Sequence, residues 1–316
     1  MGTMATVRPS ERRSRLRSTL SYVSQNYWLY LLLIPGTAFI IIFRYVPMYG
    51  VLIAFQDFSV VRGIWRSPWV GFANFIYLFT SSSFYEILRN SVLISLYRLI
   101  FAFPVPVLMA ILLSEMRGIV YKKVIQTIIY LPHFISWVVI AAMVYNFLSP
   151  STGLVNKVIV ALGGKPRAFL QDPRAFRGII VASDIWKESG WGTIIYLAAI
   201  VGIDPELYEA AVIDGANRFR RIRHITIPGI VNTIIVILIL RMGSILRNGF
   251  EQIFLLYSPL VYEVADVFET YTYRVGIREG RFSFATAVGL FQSLIGLVLI
   301  LTTNALARRY GESSLW

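Results

Sequence analysis

The chain contains no cysteine and only two histidines among 316 residues. Disulfides, thiolate zinc sites and cysteine nucleophiles are therefore excluded. His133 and His224 lie far apart, and no His-Glu-x-x-His occurs, so neither a zinc-hydrolase motif nor a nucleophile–base pair is legible. The phosphate-cradling pattern Gly-x-x-x-x-Gly-Lys-Ser/Thr is also missing. Its nearest fragment, Gly163-Gly164-Lys165-Pro166, has proline where the hydroxyl belongs and reads as a turn. Acidic residues are scarce, 17 against 30 Lys and Arg, which leaves a net charge of +13. No nucleic-acid recognition motif accompanies that charge, so nucleic acid is not expected as a partner.

Apolar residues are abundant: 56% of the chain is hydrophobic, with a mean hydropathy of +0.64, whereas soluble domains average roughly 45–50% apolar. They fall in long runs, so the sequence predicts an all-α integral membrane protein. Six runs are long enough to cross the hydrocarbon core, near 28–50, 91–113, 124–148, 178–202, 229–250 and 284–306. Pro104, Pro106 and Pro132 are tolerable within membrane helices. Residues 1–27, with Arg8, Arg12, Arg13, Arg15 and Arg17, read as a basic cytoplasmic tail before an uncleaved first span, and 307–316 as a cytoplasmic C-terminal tail. With both termini inside, the inner side carries fourteen basic residues and the outer side eleven. The basic tail beside the first span favours that orientation. Outer loops at about 51–90, 149–177 and 251–283 include Trp65, Trp69, Phe72, Phe75 and Tyr77, residue types that suit the membrane interface.

Between the fourth and fifth runs lies a polar segment, 204–228, that cannot sit in lipid. Asp204-Pro205-Glu206 is a helix start, with a capping carboxylate, proline at the first position and an acid at the positive end of the dipole. Gly215 permits a left-handed turn, and Arg218 to Arg223 form a second short basic helix before Pro228 opens the next span. Basic residues here suit anchoring to anionic lipid.

The order Glu209-Ala210-Ala211-Val212-Ile213-Asp214-Gly215, then Ile225-Thr226-Ile227-Pro228, resembles the EAA motif of bacterial ABC-importer permeases, with Ile227 where that pattern has leucine. Arg44-Tyr45-Val46-Pro47-Met48-Tyr49-Gly50, Leu131-Pro132-His133-Phe134-Ile135-Ser136-Trp137 and Asp184-Ile185-Trp186-Lys187 resemble the carbohydrate branch, most of all its polysaccharide, oligosaccharide and alginate permeases. The resemblance implies a type I importer permease fold. In it, Glu209, Ala210, Ala211, Asp214, Gly215 and Pro228 belong to a coupling helix that docks on a separate ATPase. It further implies a second homologous permease, two ATPase subunits that carry the ATP and Mg²⁺, an external solute-binding protein and an oligosaccharide substrate. This chain itself would bind no cofactor and would reside in the bacterial inner membrane.

Charged and aromatic residues inside the spans are the remaining candidates. Arg98, Arg241, Arg247 and Asn248 lie in the second and fifth spans, and Trp186, Lys187, Glu188 and Trp191 in the fourth. Asp184 and Lys187 are spaced to pair on one helical face, Glu188 is available to Arg241, and Gly190 and Gly192 are positioned to break the helix. Two readings fit this set: an ion-pair network that locks helices together, or a path for a hydroxyl-rich ligand on which planar donors and aromatic faces act. His133 reads as a hydrogen-bonded structural group. Against the importer stands one competing class, an ion-coupled secondary transporter that would use buried acids such as Glu188.

Overall fold

The structure, a computed structural model, describes Tyr22 and residues 24–309. The arginines of the N-terminal tail and most of the C-terminal tail lie outside the described residues. Two compact units divide after Leu52. In the first, α1 (Tyr27–Ile40) passes through a π-turn, Ile41–Tyr45, into a 3₁₀ stretch that begins at Val46. Its leucines and phenylalanines are exposed, as suits a helix whose solvent is lipid.

The second unit is built from α2 (Ala73–Thr80), α3 (Ser82–Tyr97), α4 (Pro104–Ser114), α5 (Ile119–Tyr130), α6 (Trp137–Leu148), α7 (Pro173–Val201), α8 (Pro205–Ile213), α9 (Ile227–Gly243), α10 (Phe250–Leu256), α11 (Phe268–Thr272) and α12 (Phe282–Arg309). Strand pairing among the described residues is limited to an isolated bridge, Gln56 to Trp69. Ile94, Ala141, Phe176, Ile180 and Ile253 pack α3, α6, α7 and α10 together. Leu78, Phe84, Phe268, Phe284 and Val288 join α2, α3 and α11 to α12. Ala110, Ile111, Tyr196, Ile200 and Ile230 hold α4, α7 and α9.

Four helical runs among the described residues are long and apolar enough to cross a membrane: Tyr27–Phe55, Ser82–Ser114, Arg218–Gly243 and Phe282–Arg309. A bent pair makes a fifth candidate. The protein is thus an all-helical membrane protein with four to five such spans, where the sequence predicts six. The difference lies in two elements. α7 has 29 residues, ample length, with Asp172 capping the Arg174 N–H at 2.9 Å and Pro173 in the first turn. Asp184, Lys187 and Glu188 lower its apolarity, so composition alone does not mark it as a span.

The predicted third span, 124–148, is not one continuous helix. It breaks between Phe134 and Trp137, and its halves meet at 100°. Pro132 withdraws a backbone donor, Leu131–Phe134 tightens to 3₁₀, and Ile135 is extended. Lys187 supplies the compensation. Its ammonium lies 2.6 Å from the His133 carbonyl, 2.8 Å from Ile135 and 3.5 Å from Pro132. The Pro132 carbonyl keeps a backbone partner, the Ile135 N–H at 3.1 Å, so the ammonium chiefly serves the His133 and Ile135 carbonyls, with the Glu188 carboxylate 3.7 Å away.

The expected glycine break in α7 does not occur. α7 runs unbroken from Pro173 to Val201, and Gly190 permits close approach instead. A Cβ on Gly190 would lie 1.8 Å from the Ile129 carbonyl oxygen of α5. We expect Gly190→Ala to separate α5 from α7 and to destabilise the protein by about 1–3 kcal/mol, the usual cost of overpacking. A thermal melt of the detergent-solubilised complex checks this, and an unchanged midpoint would refute the packing role.

The fifth span also differs from its expected bounds of 229–250. Helical backbone begins at Arg218, continues through a π-turn at Ile222–Thr226, and ends at Gly243. The expected separate second helix is therefore the N-terminal extension of this span, and Pro228 sits inside it. Arg247 and Asn248 lie beyond the helix end. There the Asn248 N–H donates to Glu269 at 2.9 Å instead of continuing the helix, and Gly249 adopts φ +73°.

Candidate functional site

The polar segment folds as its local chemistry dictates. Asp204 accepts the Glu206 N–H at 3.0 Å and starts α8. At the other end the Ala216 N–H reaches the Ala211 carbonyl at 2.8 Å and the Gly215 N–H reaches Val212 at 3.0 Å. With Gly215 at φ +73°, this is a Schellman closure, which a Cβ would strain. Asn217 accepts the Arg220 N–H at 2.9 Å and begins the next helix at once. The Tyr208 hydroxyl bonds Thr226 Oγ1 at 2.9 Å and ties α8 back to the fifth span. Glu209, Ala210 and Asp214 are exposed and Ala211 is half-buried. Leu207, Val212 and Ile213 are exposed on the same short helix, Ile213 to 86%. An exposed helix that offers carboxylates, two alanines and several uncovered aliphatic groups has the make-up of a contact surface.

The predicted intramembrane charges separate into two groups. Arg98 is buried at the centre of a polar core. Its Nη1 donates to the Asn248 carbonyl at 2.8 Å, its Nη2 donates to Gln252 Oε1, and Nε faces Asp184 at 3.7 Å. Gln252 passes the connection on through Nε2 to the Ile180 carbonyl at 2.7 Å and Ser183 at 2.8 Å. The Asn248 side chain donates to the Ser91 and Leu246 carbonyls at 3.3 and 3.2 Å and accepts from Ser95 at 3.1 Å. Gln292 donates to Glu269 at 3.1 Å, on the carboxylate oxygen that also takes the Asn248 N–H. Burial pushes the Glu269 carboxyl above the usual carboxylate range, and these donors oppose the shift. Gln252, Ser183, Glu269 and Gln292 were not identified as site residues from the sequence, since their partners lie on other helices and no local spacing marks them.

The expected pairings are corrected accordingly. Asp184 pairs with Arg98, not Lys187, because Lys187 is turned toward the break between α5 and α6. Glu188 meets His133 Nδ1 at 2.8 Å, not Arg241. The His133 ring stacks on Trp191 at 4.7 Å with the planes 4° apart, in keeping with a structural histidine.

Arg241 stands apart. It is exposed, and its guanidinium makes no hydrogen bond or ion pair among the described residues. It borders a cavity of about 170 Å³ between α4, α7 and α9, whose lining also includes Asp184, Glu188, Ser189 and Tyr196. Trp191 and Trp186 are about half exposed on α7. Trp186 borders a different, almost wholly apolar cavity against α6. Arg247 is exposed in the turn after α9.

A helical membrane unit with an exposed polar segment and a cavity lined by Asp184, Glu188 and Arg241 has features that suit a solute permease. Residues 102–312 match the family described as binding-protein-dependent transport system inner membrane component, and the chain belongs to it. It is 49% identical to Protein LplB of Bacillus subtilis over 95% of this chain and 94% of that protein. It is 44% identical to the polygalacturonan/rhamnogalacturonan transport system permease protein YteP of Bacillus subtilis, over 99% and 96% of the two chains. A crystal structure of a bacterial alginate ABC transporter, in complex with an alginate pentasaccharide-bound periplasmic protein, contains a chain 43% identical to this one. That chain superposes with a TM-score of 0.86 over 93% of this chain and 99% of its own length. The protein is thus a multi-pass inner-membrane permease subunit of an ABC importer with the permease fold of that class, and is not itself the ATPase. Family membership sets the ion-coupled carrier aside.

Proposed function

We propose that this chain forms one half of the path for an acidic, uronate-containing oligosaccharide, delivered by an external solute-binding protein. A second homologous permease completes the path, and two ATPase subunits, which hold ATP and Mg²⁺, drive it through α8. In this reading α7 and the bent α5–α6 pair are both crossings. That brings the number to six and puts both termini on one side, which the basic N-terminal tail assigns to the cytoplasm. Glu209, Ala210, Ala211, Asp214 and Gly215 shape the docking surface, and Pro228 belongs to the rigid span behind it.

The observation that carries the substrate reading is the unpaired Arg241 guanidinium beside the α4–α7–α9 cavity. A planar fork of donors suits a carboxylate in two-point contact. The relatives that handle polygalacturonan and alginate act on polymers of uronic acids, which makes the same demand. Trp191 and Trp186 offer ring faces for stacking, Glu188 an acceptor for sugar hydroxyls, and Arg247 a further cation. Arg98, Asn248 and Lys187 act at one remove, by holding the helices that form the walls.

Arg241→Gln should lower uptake of an oligogalacturonate or oligoalginate by reconstituted transporter roughly 10- to 100-fold, the effect of losing one charge-assisted hydrogen bond. Basal ATP hydrolysis should be unchanged. Uptake equal to the parent's would remove Arg241 from the path.

A further inference from the structure

A second pocket, of about 410 Å³, lies where the end of α4, the start of α5, the end of α7 and the polar segment meet. Arg117, Lys122, Arg218 and Arg221 line it against a single acid, Glu115, with Tyr208 of α8 on its wall. None of the four cations makes a side-chain hydrogen bond or ion pair among the described residues. Lys122 and Arg221 are half-buried, and the Arg221 Nε is fully covered without a partner. Four clustered cations, two of them partly withdrawn from water, with one acid in the lining and no ion pair formed, are costly, so the arrangement calls for an external anion.

The surroundings specify which anion. Beside the pocket, Ile119, Val120 and Val201 are 75%, 72% and 74% exposed, a surface that suits acyl chains and not water. The pocket also sits at the ends of membrane-crossing helices, at headgroup level if the polar segment faces the cytoplasm as proposed above. Two arginine forks, a flanking arginine and a lysine match phosphate oxygens better than a single carboxylate. We propose that this pocket binds the phosphate of an anionic phospholipid of the inner leaflet. Because Tyr208 lines the pocket and bonds Thr226, the bound headgroup braces α8 against the fifth span and favours coupled ATP hydrolysis.

The test uses the assembled transporter in nanodiscs of phosphatidylcholine alone or mixed with phosphatidylglycerol, with lipid retention read by native mass spectrometry and ATP hydrolysis measured alongside. Retention reports on the pocket whether or not the uronate reading holds. Each neutralised cation should weaken phosphatidylglycerol retention about fivefold, so K122Q/R221Q together should lose roughly 25-fold. Phosphatidylcholine retention and the rate in phosphatidylcholine discs should match the parent, the gain on adding phosphatidylglycerol should vanish, and K122R/R221K should restore it. Parental phosphatidylglycerol retention by K122Q/R221Q would overturn the proposal. So would failure of that variant to hold its ATPase in phosphatidylcholine discs, which would assign the cations to the ATPase. Displacement of the lipid by equimolar inorganic phosphate would overturn the lipid source.

Discussion

Arg98→Met should cost the transporter about 3–5 kcal/mol of stability, the usual penalty for removing one member of a buried ion pair. The loss follows from what Arg98 holds. Its guanidinium reaches the Asn248 carbonyl, the Gln252 side chain and Asp184, joining α3 to the turn after α9, to α10 and to α7. Methionine fills the volume and leaves the Asp184 carboxylate facing an apolar neighbour. Lysine would not substitute, because one ammonium cannot span three acceptors in these directions. Pairing the change with Asp184→Leu should recover most of the loss, since no uncompensated charge then remains. The measurement is the thermal midpoint of the purified complex for the single, the lysine and the double variants. A single variant as stable as the parent would show that the network is incidental.

Glu209→Lys should abolish coupling while leaving the protein in the membrane. Glu209 is exposed on α8 and its side chain makes no hydrogen bond or ion pair among the described residues, so reversing its charge removes no contact from the fold. At an interface with an ATPase, reversing a carboxylate that pairs with a basic group costs about 2–5 kcal/mol, so association should weaken at least roughly 30-fold. Co-purification of the ATPase subunit and ATP-driven uptake should both fall, with membrane levels of the permease unchanged. Gly215→Val should behave similarly for a different reason: φ +73° and the Ala216-to-Ala211 bond require a residue free of a branched Cβ. Parental uptake by Glu209→Lys would dismiss α8 as the coupling contact.

The local form of the polar segment 204–228 was readable because its determinants are close neighbours. Asp204 caps two residues on and Gly215 closes a helix four residues behind it, so the chain order already contains the geometry. The long apolar runs were readable for a related reason: lipid offers backbone groups no partners, so sustained apolarity enforces helix whatever the neighbours are. The break before Trp137 was not readable. Pro132 hints at it, but proline is tolerated in membrane helices, and the group that stabilises the break, Lys187, is more than fifty residues away. A still longer separation in the chain hid the pairing of Asp184 with Arg98, where helical spacing suggested Lys187. Gly190 was legible as an unusual residue within a span, yet its purpose depends on how closely α5 passes.

By itself, then, the order of residues determined the membrane class, the length and place of most helices, and the local form of the polar segment 204–228. These rest on the solvent and on hydrogen bonds between near neighbours. Only the tertiary structure decided which charges are consumed in holding helices together and which stay free. Arg98 and Lys187 are consumed, Arg241 and the four cations of the inner pocket are not, and sequence treats them alike. A charge inside a membrane protein takes its role from whatever opposes it across a helix contact, and such contacts join residues that the chain keeps far apart.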